Sequence, residues 1–213
     1  STGLIGPRDI IYRDSDIVIL NKPPRLLSNG PKSAESQLQQ MMTDQLVKAV
    51  HRLDRDTSGC NIFALSDEVW EAMCQLFREK KVKKIYHAIV VGRIKESGFS
   101  IQSRVEGKEA CSIVKLLKYL QARNLKFSLS LVQVEIETGM THQIRKHLQS
   151  IHSPIYGDRI YSSANSNRLE FRDAERQMLH AHQVSFSQPL TGEQLSVIAP
   201  YHIDFSNVLN SMS

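Results

Sequence analysis

The chain has 213 residues, 41% of them hydrophobic and 23% charged, with a formal net charge of +5. That length supports one sizeable domain with its own core. No apolar run approaches the roughly 20 residues of a membrane span and no signal pattern opens the chain, while three widely spaced cysteines without a CxxC pair suit a reducing compartment better than a disulfide framework.

Taken in order, Ile10–Tyr12 and Ile17–Asn21 flank a polar turn and read as a hairpin that stops at Pro23-Pro24. Apolar residues at Leu38, Met41, Met42, Leu46, Val47 and Val50 form a helical stripe across Ser33–Val50. The run from Cys60 to Leu65 predicts a short buried strand. Ser66 then caps a helix with Val69, Trp70, Met73, Leu76 and Phe77 on one face, acids at its start and bases at its end. Lys84–Gly92 and Phe127–Ile136 read as strands, the second changing phase at a bulge expected near Leu131. Thr141–His152 reads as a helix facing Ile144, Leu148 and Ile151 inward. Leu179–Phe186 and Leu195–Ala199 flank a turn at Pro189–Gly192, a further hairpin. Strands outnumber helices and are often joined by short turns, so the fold class is α+β with a mixed, mostly antiparallel sheet and flanking helices.

Several chemistries can be weighed on spacing. The histidine pairs 142/147, 147/152 and 180/182 lack the i, i+4 spacing with a following glutamate that a helical zinc site uses, and no cysteine cluster completes one. No phosphate-cradling glycine loop and no GxSxG elbow occurs. The turn Asp56-Thr57-Ser58-Gly59 has some likeness to an aspartic protease loop, but arginines on both sides of Asp54 oppose the shared proton that such enzymes need. The basic run Arg78–Lys84 suits a phosphate track as well as a solvated helix end. In "HRLDRDTSG" (51–59), Asp54 stands between Arg52 and Arg55. It reads either as an ionised nucleophile or as a turn residue bonding local backbone.

Six ordered blocks decide between those readings. "NKPPRLL" (21–27), "HRLDRDTSG" (51–59), "KKIYHAIVVG" (83–92), "GKEACSIVKLL" (107–117), "TGMTHQIRKHLQSIHSPIYGDRIY" (138–161) and "LHAHQVSFSQPLTGE" (179–193) resemble the RluA-type pseudouridine synthases along most of the chain. HRLDxxTSG and THQIR together are the most specific. The chain departs from the family pattern at Arg25 and Ser112, where Gly and Thr are usual, and at Met140 and Gln188, where Arg and His are usual.

The resemblance implies a pseudouridine synthase fold with a central RNA-binding cleft, spanning 1–213 as a single catalytic domain. No S4-type RNA-binding domain is visible. It implies isomerisation of uridine to pseudouridine in ribosomal or transfer RNA, with no metal and no organic cofactor. Asp54 is the implied nucleophile, Tyr86 the residue that stacks on the uracil and helps remove its C5 proton, and Arg145 the ion-pair partner of Asp54. Arg52 is the implied base-flipping residue, its planar guanidinium filling the vacated stack. The alternative is a catalytically silent RNA-binding or ribosome-assembly factor of the same fold, against which the filled positions 54, 86 and 145 speak. A monomer without membrane attachment is expected, in the cytoplasm, or in mitochondria if an N-terminal segment has been removed.

Overall fold

The computed structural model describes residues 3–121, 127–162 and 174–212. In chain order the elements are β1 (Ile10–Arg13), β2 (Ile17–Lys22), α1 (Ala34–Met41), β3 (Lys48–Ala49), β4 (Ser58–Ala64), α2 (Asp67–Arg78), β5 (Lys83–Val91), β6 (Gly98–Gln102), β7 (Cys111–Leu120), β8 (Leu129–Ile136), α3 (Gln143–Ser150), β9 (Leu179–Ser187), β10 (Gln194–Ile198) and α4 (Ile203–Ser211). The sequence reads as one domain; by its internal contacts the chain divides into two compact units, Ser1–Lys84 with Ala181–Pro200, and Ile85–His180 with Tyr201–Ser213. The fold is α+β, with a mixed and mostly antiparallel sheet.

In the first unit the strand order is β1-β2-β4-β9, with β10 on β9 and β3 on β4. Every residue of β2 and β4 is buried. Strands covered on both faces read as continuous apolar runs rather than alternations. The expected hairpin of β1 and β2 forms, closed by Asp14, whose Oδ1 accepts the amides of Asp16 and Ile17. Helix α2 begins where its cap predicts, the Ser66 hydroxyl accepting the Val69 amide. Helix α1 is shorter than its apolar stripe. It ends at Met41, because the Gln39 side chain donates to the carbonyls of Met42 and Gln45 and accepts the Val47 amide. That side chain takes over backbone groups that another helical turn would have bonded, and Val47 joins the core from extended chain.

The second unit carries the order β5-β8-β7-β6. Its core gathers Ile89, Val114, Val132, Val134, Leu148, Tyr156 and Phe205. The phase change of β8 is real, with Leu129 to Val132 all buried. The extra residue, however, is Leu117 in the neighbouring strand, since Leu116 pairs with Val132 and Lys118 with Leu131. Helix α3 starts two residues later than its stripe suggests, after His142 at a left-handed φ of 55°. The elements β3, β6, β7 and α4 are additions to the reading from sequence.

Candidate active site

Asp54 sits half-buried in the turn that feeds β4, with Arg52 and Arg55 exposed on either side. The turn is closed by the Thr57 amide donating to the Asp54 carbonyl at 3.0 Å. Beyond it, Gly59 has φ +113°, and a Cβ there would meet the Ala181 carbonyl oxygen at 2.2 Å. The strand approach that presents the turn therefore admits only glycine.

The turn is tied to the segment Pro23–Ser28. Leu26 donates its amide to the Arg55 carbonyl at 3.1 Å, and Leu53 donates its own to the Ser28 hydroxyl at 2.9 Å. Lys22 is fully buried and its ammonium donates to the carbonyls of Pro23, Leu26 and Arg55 at 2.7–3.0 Å. The "NKPPRLL" and "HRLDRDTSG" motifs thus form one body. Arg25, where the family usually has Gly, holds φ +64°. A left-handed position explains the usual glycine, and an arginine there carries strain.

His51, which opens the motif, turns its Nε2 to accept the Ile62 amide at 2.9 Å and stacks on Phe77 with ring centroids 4.9 Å apart. Burial, and then the positive charge of Lys84, push its pKa down to about 3. It is a neutral structural histidine with its proton on Nδ1.

In the second unit Arg145 is 5% exposed and Asp158 fully buried. Arg145 Nε donates to Asp158 Oδ2 at 2.7 Å and Nη2 to Oδ1 at 3.0 Å, a bidentate pair. Asp158 Oδ1 also accepts the amides of Ile160 and Tyr161. Burial raises the Asp158 pKa, but the hydrogen bonds from Arg145 and Tyr161 outweigh it, and the net shift is downward. The Arg145 guanidinium lies 5.0 Å from the Tyr161 ring, and the Tyr161 hydroxyl meets His142 Nδ1 at 2.8 Å. Gly157, at φ +85°, passes so close to Arg176 that a Cβ would lie 2.1 Å from its carbonyl oxygen. The "GDRIY" end of the motif is therefore the seat of Arg145. Reasoning from sequence missed Asp158 as a partner of Arg145; a carboxylate inside the same quoted block was the available signal. Tyr86 is half-buried on β5 and packs against the core of this unit.

Two of the histidines weighed as metal ligands, His142 and His147, have hydrogen-bond partners in the protein. His147 is buried, with Nδ1 at 2.7 Å from the Ser112 hydroxyl and Nε2 at 2.9 Å from the Ser103 carbonyl. Because a carbonyl only accepts, Nε2 carries the proton and Ser112 donates to Nδ1. Ser112 in turn accepts from Gln143 at 3.2 Å, so the serine at a usual threonine position is spent in this network. Gln188, where His is usual, is likewise structural: its Oε1 accepts the amides of Leu190 and Thr191 and its Nε2 donates to Asp16.

The profile of the RNA pseudouridylate synthase family matches residues 16–150. The chain is 33% identical to tRNA pseudouridine synthase C of Vibrio parahaemolyticus, over 88% of this chain and 87% of that one. It is 30% identical to an uncharacterized RNA pseudouridine synthase of Bacillus subtilis, over 95% and 72% of the two chains. The solved human RNA pseudouridylate synthase domain containing 1 superposes with a TM-score of 0.78 at 26% identity, covering 91% of this chain and 83% of that one.

Proposed function

We propose, from the premise that this chain belongs to the RNA pseudouridylate synthase family and isomerises uridine to pseudouridine in RNA, that Asp54 is its nucleophile. In that isomerisation the N1–C1′ glycosidic bond breaks, the uracil turns, a C5–C1′ bond forms, the C5 proton leaves, and the freed N1 takes up a proton. A carboxylate can open the sequence only if it is held at the sugar–base junction rather than mobile in solvent. The observation that carries the proposal is the fixed turn, in which Lys22, Ser28 and Gly59 hold the backbone around Asp54. Arg145 supplies a positive charge oriented by Asp158, and Tyr86 a ring that stacks on the uracil and helps take the C5 proton. Arg52, exposed beside Asp54, fills the stack left by the flipped uridine; unstacking costs a few kcal/mol, and a planar cation offsets part of it.

Transfer RNA is the substrate that the Vibrio parahaemolyticus relative supports. On the same reading the enzyme works as a cytoplasmic monomer without metal or organic cofactor; its free cysteines and the engaged rings of His142 and His147 suit that.

Tritium release from transfer RNA transcripts carrying 5-tritiated uridine tests the central assignment. Asp54→Asn should reduce release to background while RNA affinity stays within about tenfold, because phosphate contacts carry most of it. Release retained by the variant would overturn the nucleophile.

A further inference from the structure

We infer that the exposed cations at the end of α2 form an RNA-backbone contact that takes no part in the bond chemistry. The proposal rests on the RNA-modifying activity and extends it to a second region of the substrate. Arg78, Lys80, Lys81 and Lys83 are all exposed, and the carboxylate among them is Glu79. Val82, between the last two lysines, is 1% exposed and pins the turn into the core. Its neighbours are thereby directed outward.

The cluster is arranged as well as charged. Gln75 accepts from Arg78 Nη2 at 2.6 Å and donates to Glu79 at 2.7 Å, while Lys81 meets Glu79 at 2.8 Å. An amide and one carboxylate thus position two of the four cations, Arg78 and Lys81, at the helix end.

The backbone supplies a second observation. Helix α2 closes with the Lys81 amide on the Leu76 carbonyl at 2.9 Å and the Lys80 amide on the Phe77 carbonyl at 3.1 Å, with Lys80 at φ +57°. Such a closing position favours glycine, and any side chain there is strained. A cation near a helix C-terminus is favourable for the helix dipole, but Arg78 in the last turn already fills that role. Keeping lysine at a glycine position is reasonable where its charge is used. The partner that matches is phosphate backbone, recognised by charge and without base readout.

The test titrates the protein by fluorescence anisotropy with bulk transfer RNA and with a short random-sequence RNA, from about 50 to about 200 mM salt. The triple variant Lys80→Gln, Lys81→Gln, Lys83→Gln should flatten the slope of log K against log salt by about 2–3 for transfer RNA. Its tritium release at saturating RNA should match the wild type. Lys80→Gly separates function from folding. It should flatten the slope by about 1 and raise Tm by about 2 °C through relief of strain. A wild-type slope in the triple variant, or a Lys80→Gly protein with raised Tm and unchanged slope, would reduce the cluster to a solvated helix end and overturn the inference. If the wild type released no tritium from transfer RNA, the substrate assignment would fall, and the slopes would still decide the contact.

Discussion

A guanidinium that is 5% exposed and a fully buried carboxylate hold each other in place in the Arg145–Asp158 pair. Removing one partner strands the other charge, at a cost on the order of 3–5 kcal/mol, whereas replacing both with apolar residues removes the penalty with the attraction. Arg145→Met and Asp158→Leu should each lower urea stability by that order, and the double variant should recover most of it. Asp158→Leu should cost more than Arg145→Met, because Asp158 also accepts the Ile160 and Tyr161 amides. Additive losses would show that the pair does not act as a unit. At the same scale Arg25 is a departure with a visible consequence: its φ of +64° is backbone that glycine adopts freely.

The turn between β9 and β10 depends on one side chain. Gln188 satisfies the amides of Leu190 and Thr191 and reaches Asp16, all from a residue 1% exposed. At about 1 kcal/mol per bond, Gln188→Ala should lose about 2–3 kcal/mol in urea unfolding. Gln188→His should lose less, since an imidazole accepts at one nitrogen and donates at the other; equal losses would show that the bonds contribute nothing beyond packing. Such elements also show what could be read from sequence. Helix α2 was legible because cap, charges and apolar stripe are all local. The end of α1 was not, because Gln39 decides it by folding back on residues 42–47. Strand β7 alternates buried Ser112 and Val114 with exposed Ile113 and Lys115, but the extra residue at Leu117 breaks the rhythm. The loop of Asp54 was legible as a motif. Its lysine clasp was not, because no spacing rule joins Lys22 to Arg55.

For the molecule as a whole, stability should follow pH in two stages. His51 is pushed down to about 3 by burial and the Lys84 charge, while the unfolded chain titrates it near 6.5. The folded protein therefore refuses a proton that the unfolded chain accepts, and stability falls as pH drops below about 6.5, by about 2 kcal/mol at pH 5. Urea midpoints at neutral pH and near pH 5 check this. His51→Gln keeps an acceptor for the Ile62 amide and does not titrate, so its midpoint should move less; an equal drop in both proteins would remove His51 as the cause. Further down, Asp158 and Asp204 both sit below the ordinary carboxylate value, burial being outweighed by the hydrogen bonds of Arg145 and Arg176. Their contribution is present above about pH 4 and is lost as pH falls through their lowered values.

Lys22 gives the loop of Asp54 a cation that cannot diffuse away. A dissolved ion held by three carbonyls exchanges with its bath, whereas this one is tethered to the chain and fully buried. Ionic strength screens exposed charges and leaves buried ones largely untouched. If Asp54 is the nucleophile proposed above, salt should therefore act on this enzyme unevenly: it should loosen the grip on RNA and raise KM, while the loop that carries Asp54 keeps its shape and kcat should be spared.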